Sequence, residues 1–275
     1  MTVIRDLEAR MKPASVFWRR AVFIAVGLLL LGWLLNTPAG LMGKADAVGY
    51  AVCHRIDLRS FHLGERQLPL CARCTGMYLG AVAGLAYQQV LSRRRGGTPG
   101  RAVIVALALL VLFFVVDGFN SFISFFPGAP VLYQPQNWLR LLAGSGMGIA
   151  IAVALFPAFN QTVWMDWDSR PAMPGLRSLG GLVLLMLLVD LLVLSENPLL
   201  LYPLALISAA GVLLLLTLAY SMVWLMIFRA ENRFLSARQM LLPLAGGFGL
   251  ALAQIVLLDL ARYALTGTWD GFHLG

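Results

Sequence analysis

The sequence predicts an all-α fold: a polytopic transmembrane helical bundle of about seven spans, with its N-terminus inside and its C-terminus outside. Of the 275 residues, 60% are hydrophobic and 12% are charged, whereas soluble domains carry about 25% charged residues. The hydrophobic residues form seven runs long enough to cross a bilayer. The loops between the runs are alternately rich and poor in Lys and Arg, which indicates an orientation.

The seven runs, in chain order, cover residues 21–42, 71–91, 102–125, 138–158, 178–194, 199–228 and 240–264. The sixth run is longer than a hydrocarbon core of roughly 30 Å requires at ~1.5 Å per helical residue. We therefore expect the sixth helix to tilt, to kink near Pro203 or Gly211, or to extend beyond the membrane.

The distribution of cations predicts which loops are cytoplasmic. Fourteen of the 21 Lys and Arg residues precede the first run or lie between runs two and three, four and five, or six and seven. Cytoplasmic loops carry such an excess of Lys and Arg, so these loops are assigned to the cytoplasmic side of a cell (inner) membrane. The net charge of +8 is then a consequence of topology. The lipid bilayer is the predicted partner, and no nucleic acid is required.

This topology divides the chain into four parts. We expect a basic cytoplasmic segment at 1–20, a four-span core at 21–158, a cytoplasmic loop at 159–177 and a three-span extension at 178–275.

The stretch between runs one and two, with the beginning of run two, carries the cysteine and histidine side chains that could react or bind a metal. Cys53 and His54 precede a loop, and Cys71 and Cys74 follow it, three residues apart. Pro69 is suited to the beginning of a helix, which would place Cys71 and Cys74 on one face of its first turns. The partial positive charge at a helix N-terminus lowers the pKa of nearby thiols. We therefore expect these two sulfurs to ionise readily.

Three interpretations of the cysteines remain open. The first is a metal site, with zinc favoured by thiolate and imidazole ligands; its ligands would be Cys53, His54, Cys71 and Cys74, with His62 as the alternative to His54. The second is a thiol–disulfide pair facing an oxidising compartment. The third is simple packing of small apolar side chains. Thr75 stands where c-type haem attachment requires His, and there is no haem or nucleotide-binding signal.

The motif resembles that of a known family. The matching elements are Cys53-His54-Arg55, Arg59-Ser60-Phe61, Gln67, Pro69, Cys71-Ala72-Arg73-Cys74-Thr75-Gly76, Tyr78, Gly80, Asp117-Gly118, Asn137, Arg140 and Gly144. Over about residues 45–155 they resemble the predicted membrane proteins called domain of unknown function 2085. The resemblance implies a bacterial or archaeal membrane protein and brings no assigned activity.

The predicted topology brings polar residues from four segments to one depth of the outer leaflet. Ionisable residues within spans usually face an interior or a wet cavity. The candidates for a ligand-binding or supporting role are Arg55, Arg59, Arg73, Asp117, Asn137 and Arg140. Asp117 could orient His54 or His62 as a carboxylate behind a metal ligand, or it could simply pair with Arg140.

Other residues within the spans have plainer interpretations. Gly76, Gly80 and Gly84 in run two, with Gly144 and Gly148 in run four, form small-residue stripes. Such stripes predict close packing of the two helices. Asp190 and Asp259 are interpreted as interfacial residues that reach water, in preference to a proton path.

Three alternative functions are therefore predicted. The leading hypothesis is an outer-leaflet Cys/His site, most simply for zinc. The second is a binder or transporter of an anionic lipid headgroup or another anion, held by outer arginines whose guanidinium groups match phosphate and carboxylate. The third is a scaffold subunit of a membrane complex, whose protein partners the sequence does not identify.

Overall fold

A computed structural model describes residues 16–126 and 128–270. Across these ranges it contains eight α-helices: α1 Val16–Asn36, α2 Gly40–Val52, α3 Ala72–Leu91, α4 Arg101–Ile123, α5 Asn137–Val163, α6 Leu176–Leu194, α7 Pro198–Ile227 and α8 Leu241–Thr266. Four short strands accompany them: β1 His62–Leu63, β2 Arg66–Gln67, β3 Arg95–Gly97 and β4 Asp168–Pro171. The predicted all-α polytopic bundle is confirmed.

Six of these helices are long and apolar enough to cross a membrane, namely α1, α4, α5, α6, α7 and α8. The remaining long helix, α3, has 20 residues and includes Arg73, Gln88 and three glycines. It is less apolar because much of its surface, including Thr75, Leu79 and Gln88, is buried against other helices. The described residues thus contain seven long helices, of which six have the length and apolarity of a membrane span, against about seven predicted spans.

The first predicted run is divided in the structure. Helix α1 ends at Asn36, Pro38 follows in the connection, and α2 begins at Gly40, which has φ +79°. Helix α2 has 13 residues and packs against α7 and α8. It lies in a segment that the sequence predicted as a loop, because its many Gly and Ala residues give no membrane-length hydrophobic run.

Helices α3 and α5 run parallel with their backbones in contact. A β-carbon at Gly76 would overlap the carbonyl oxygen of Leu141, and one at Gly144 would overlap the carbonyl oxygen of Arg73. This confirms the close packing that the glycine stripes predicted. Because the helices are parallel, their N-terminal ends lie side by side.

The bundle has two distinct ends. The motif end carries residues 53–71, the N-terminal ends of α3 and α5 and the C-terminal ends of α4 and α8. The opposite end carries the parallel pair β3–β4 and the contacts of Arg94, which pairs with Asp166 and donates to the carbonyl oxygen of Leu235. Three of the predicted cytoplasmic loops meet there, as their shared assignment requires. Residues 1–15 of the predicted basic N-terminal segment lie outside the described residues.

Candidate thiolate and arginine site

Three cysteines meet at the motif end. Cys53 follows the last residue of α2, Cys71 is the N-cap of α3, and Cys74 lies in the first turn of α3. Their sulfur atoms all lie within 4.8 Å of one another. Cys53 and Cys71 are buried, and Cys74 is partly buried. The structure therefore brings together the three cysteines that the sequence selected.

Contacts at the C-terminal end of α2 place Cys53 beside α3. Gly49 allows α2 to approach Pro69, whose carbonyl group a β-carbon at this position would overlap. Arg262 of α8 donates from Nη1 to the carbonyl oxygens of Tyr50 and Cys53, both at 2.6 Å. Since the last carbonyl groups of a helix have no partner within it, Arg262 both satisfies and anchors this end of α2.

The loop between the cysteines is held by internal hydrogen bonds. Gln67 donates from Nε2 to the carbonyl oxygen of Arg55 at 2.9 Å and to Oγ of Ser60 at 2.8 Å. Strands β1 and β2 form an antiparallel turn between these contacts. The loop thus folds back and brings Cys53 to the beginning of α3.

The electrostatic environment favours a thiolate at Cys53. The backbone N–H of Cys71 donates to Sγ of Cys53 at 3.3 Å, so this sulfur lies at the positive end of α3. Hydrogen bonds from the thiols of Cys71 and Cys74 hold the pKa of Cys53 well below its usual range, although burial opposes them. The sequence predicted ready ionisation for Cys71 and Cys74 instead. For Cys71 this prediction is wrong, because its hydrogen bond with Cys53, together with burial, raises the pKa of its thiol. The structure shows a helix N–H directed at the cysteine outside the helix.

The two candidate histidines lie outside the group of three sulfurs, as far as the described residues extend. Nδ1 of His54 accepts a hydrogen bond from the N–H of Ile56 at 3.0 Å, so in the neutral ring the proton resides on Nε2. Burial lowers the pKa of His54. Nε2 of His62 lies 2.9 Å from Oδ1 of Asp57. A ligand role for either imidazole stays a prediction.

The partner of Asp117 differs from the one considered from the sequence. Arg73 donates from Nε to Oδ2 of Asp117 at 3.0 Å and forms an ion pair with the same carboxylate. The hydroxyl of Tyr133 donates to the other oxygen, Oδ1, at 2.9 Å. The carboxylate therefore joins α3, α4 and the loop after α4. Both of its oxygens already have partners, neither of them Arg140 or a histidine.

Arg59, Asn137 and Arg140 form a second set of contacts beside this pair. Arg59 donates from Nη2 to the carbonyl oxygen of Ser121 at 2.9 Å, and its guanidinium lies 3.6 Å from the centroid of the Phe125 ring. Arg140 donates from Nη1 to Oδ1 of Asn137 at 2.8 Å. Asn137 in turn donates to main-chain oxygens of Leu58 and Ser60, both at 3.3 Å. Asn137 thus connects the beginning of α5 to the turn that carries Arg59.

Arg55 and Arg66 share another carboxylate. Nη2 of Arg55 lies 3.0 Å from Oδ1 of Asp46, and Arg66 pairs with Oδ2 at 2.5 Å. Arg55 adopts φ +51°, a left-handed conformation that is uncommon for residues other than glycine. The sequence predicted that the outer arginines bind an anion together, namely Arg55, Arg59, Arg66, Arg73 and Arg140. The structure separates them into two groups, because Arg55 and Arg66 contact Asp46 and the other three do not.

Sequence reasoning missed four residues that shape this region: Asp46, Ser121, Tyr133 and Arg262. Ser121 lies one helical turn after Asp117, so a same-face argument could have found it. Tyr133 lies in the irregular loop after α4, and Arg262 is far from the motif in sequence. Asp46 lies in α2, a helix that the sequence did not predict. No local pattern indicated them.

Asp190 and Asp259 are buried, in contrast to the interpretation that they reach water. Asp190 is 2% exposed and accepts from Oγ of Ser145 at 2.7 Å. Asp259 is 3% exposed and accepts from Nε1 of Trp33 at 3.4 Å. Helix packing buries both carboxylates. A polar side chain of α5 contacts Asp190, and one of α1 contacts Asp259.

An open cavity of about 380 Å³ lies between the C-terminal ends of α2 and α8. Its lining is mostly apolar and includes Val52, Leu258 and Leu265. Cys53 and His54 also line it, so the cavity adjoins the end of α2 that is followed by Cys53.

Comparison with known proteins places this region within one family. Residues 53–154 match a family described as Predicted membrane protein (DUF2085), and this segment contains Cys53, Cys71, Cys74 and the Arg73–Asp117 pair. No solved structure matches the chain.

Two archaeal proteins are similar to part of this chain. An uncharacterized protein of Methanothermobacter thermautotrophicus is 31% identical over 102 residues, which are 37% of this chain and 82% of the relative. An uncharacterized protein of Methanocaldococcus jannaschii is 25% identical over 144 residues, 52% of this chain and 86% of the relative. The chain thus belongs to the family Predicted membrane protein (DUF2085).

Proposed function

We propose that this integral membrane protein binds a thiophilic metal ion, zinc first, through Cys53, Cys71 and Cys74. The observation that supports this most directly is the approach of the three sulfurs to within 4.8 Å of one another. In a tetrahedral zinc site with Zn–S bonds of ~2.3 Å, the sulfurs lie about 3.8 Å apart. A small inward movement of the side chains would reach that separation.

The surroundings of Cys53 favour the deprotonated form that a metal ligand requires. The N–H of Cys71 and the N-terminus of α3 stabilise negative charge on Cys53. The other two thiols would lose their protons on binding, as is usual when thiolates coordinate a metal. Three protein ligands leave a fourth tetrahedral position, which His54 or an exogenous group from the adjoining cavity could occupy.

The same geometry allows thiol–disulfide exchange, so the test must separate two chemistries. The protein is purified in detergent under reducing conditions, and bound metal is measured by elemental analysis. We expect about one zinc ion per chain, lost in Cys71→Ser. Thr75→Ser is the matched control, because it lies on the same turn and keeps its hydroxyl group; it should retain the metal.

A folded preparation without stoichiometric metal would contradict the metal proposal. Differential alkylation of the same preparation after mild oxidation then reports on the alternative. A disulfide between two of the three cysteines would support exchange chemistry. Three free thiols would leave the packing of small apolar side chains as the remaining interpretation.

A second candidate function, anion binding, is favoured by a separate observation. Among the outer arginines, Arg59 and Arg73 both contact Ser121, and Asn137 links Arg140 to the same region. Guanidinium groups bind phosphate and carboxylate through paired hydrogen bonds. Phosphate or sulfate should therefore raise the thermal stability of the purified protein above that in chloride at equal ionic strength. Equal stability in all three salts would contradict this candidate.

A further inference from the structure

We propose that the first turns of α3 and α5, together with Arg59, form a seat for a phosphate group, and that Arg140 is its central donor. This inference rests on the second proposed function and specifies its ligand and its location. We call Arg59, Arg73 and Arg140, with the two helix N-termini, the arginine seat.

The parallel packing of α3 and α5 directs two helix N-termini to one place. Gly144 lies against the backbone of Arg73, and Gly76 lies against Leu141 and Ser145. Each N-terminus carries roughly half a positive charge and unpaired N–H groups, which attract anions. In the described structure neither Cys71 nor Gln136 caps its helix with a side chain. Two N-termini without a cap from their own N-cap side chains thus lie side by side at the motif end, and in α3 the N–H of Cys71 donates to Sγ of Cys53.

Three guanidinium groups converge on the same region. Nη2 of Arg73 donates to Oγ of Ser121 at 3.0 Å, and Arg59 donates to the carbonyl oxygen of that residue. Asn137 accepts from Arg140 and donates to the carbonyl oxygen of Ser60, the residue after Arg59. The three cations are therefore held within one continuous network.

The charges in this network do not balance. Other titratable groups facing it are His54, Cys71, Asp117 and Tyr133. Within the described residues Asp117 is the one carboxylate among them, and Arg73 and Tyr133 occupy it. Burial, followed by the charges of Arg140 and Arg73, lowers the pKa of Arg59 to about 10. A bound anion would relieve this excess of positive charge.

Arg140 supplies the observation that points to a ligand. Its side chain lies in the first turn of α5 and the residue is only 6% exposed. Over the part of the chain that the structure describes, its Nε–H is buried without a hydrogen-bond partner. An unsatisfied buried donor on a charged group is costly, and an anion oxygen would satisfy it.

A phosphate monoester fits this seat because of its charge and number of oxygens. It carries about −1.5 to −2 charge near neutral pH and three acceptor oxygens. Three arginines and one aspartate leave a formal excess of two positive charges. The phosphate could belong to a lipid headgroup at the membrane surface or to a free phosphate ion. In both cases the three arginines would bind the oxygens of a phosphate group.

The experiment measures binding by thermal unfolding of the full chain in detergent. Inorganic phosphate, a short-chain phosphatidic acid and a zwitterionic phosphatidylcholine are titrated into wild-type protein and two variants. Arg140→Gln should weaken binding of phosphatidic acid at least tenfold. Arg66→Gln, at the same end but paired with Asp46, is the matched control and should bind as wild type does.

The outcomes separate the two proposals. Stabilisation by phosphatidic acid alone identifies a lipid ligand, and stabilisation by inorganic phosphate as well identifies the phosphate group itself. Stabilisation of wild type that is undiminished in Arg140→Gln would overturn the arginine seat while leaving anion binding intact. No stabilisation by either phosphate compound would overturn anion binding too.

A variant outside the spans keeps the test usable if Arg140→Gln does not fold. Arg59→Gln changes a residue in the short turn Asp57–Arg59 and should cause a similar loss. Wild-type binding by this variant would overturn the proposal.

Discussion

At the scale of single residues, the partner of a buried charge determines the effect of removing it. Asp117 is fully buried and pairs with Arg73, which is itself largely buried. Breaking a buried pair by removing one partner costs about 3 kcal/mol or more, because the other charge is left uncompensated. We therefore expect Asp117→Asn to lower the free energy of unfolding in detergent by about 3 kcal/mol.

Asp190→Asn is the matched control for this variant. Asp190 is equally buried, but in the described structure it accepts a hydrogen bond from Ser145 and has no basic partner. Its substitution should change stability by less than about 1 kcal/mol. In double variants, Asp117→Asn should couple strongly to Arg73→Gln and weakly to Arg140→Gln. The reverse order would contradict the pairing described here.

At the scale of helices, the contact between α3 and α5 supports both candidate sites. Each site uses the first turn of α3, whose backbone is fixed by Gly144 of α5. Gly144→Ala should force the helices apart and cost about 1–3 kcal/mol, as overpacking usually does. Bound zinc should decrease in parallel, since the displaced helix carries Cys71 and Cys74.

Gly180→Ala provides the control for this helix contact. Gly180 lies in α6. Apart from its chain neighbours and its own helix backbone, no atom of the described residues lies within 4 Å of the place that the β-carbon of an alanine would take. Alanine should therefore be neutral or stabilise by up to about 1 kcal/mol. Unfolding temperature and metal content are measured on both variants. Equal behaviour of the two would exclude a structural role for the α3–α5 contact.

At the scale of the whole molecule, the excess of cations predicts that the motif end faces outward. Leu58 is 75% exposed at this end, and Thr98 is exposed at the opposite end. We expect Leu58→Cys to react with a membrane-impermeant thiol reagent in intact cells. Thr98→Cys should react only after permeabilisation.

The native cysteines set the background for this labelling. Cys53 and Cys71 are buried and Cys74 is partly buried, so the labelling of each variant is measured relative to that of wild-type protein. Labelling of Thr98→Cys alone in intact cells would invert the assigned orientation. The tail beyond residue 270, also predicted to be exterior, lies outside the described residues.

The sequence by itself determined the features that depend on local composition and periodicity. Hydrophobic runs predicted the seven long helices because a membrane span must be apolar over its full length. The spacing of Cys71 and Cys74 predicted their shared face, and the glycine stripes predicted the contact of α3 with α5. Helix α2 was missed because its burial results from neighbouring helices and not from a long hydrophobic run.

Only the tertiary structure decided which residues meet. The sequence could not choose between Arg73 and Arg140 as the partner of Asp117, because that choice depends on how each helix is rotated about its axis. It could not place Cys53 against the N–H of Cys71, since the intervening loop is held by Gln67 and by Arg262 from the last helix. Burial of Asp190 and Asp259 likewise follows from contacts between distant helices, which local hydrophobicity does not encode.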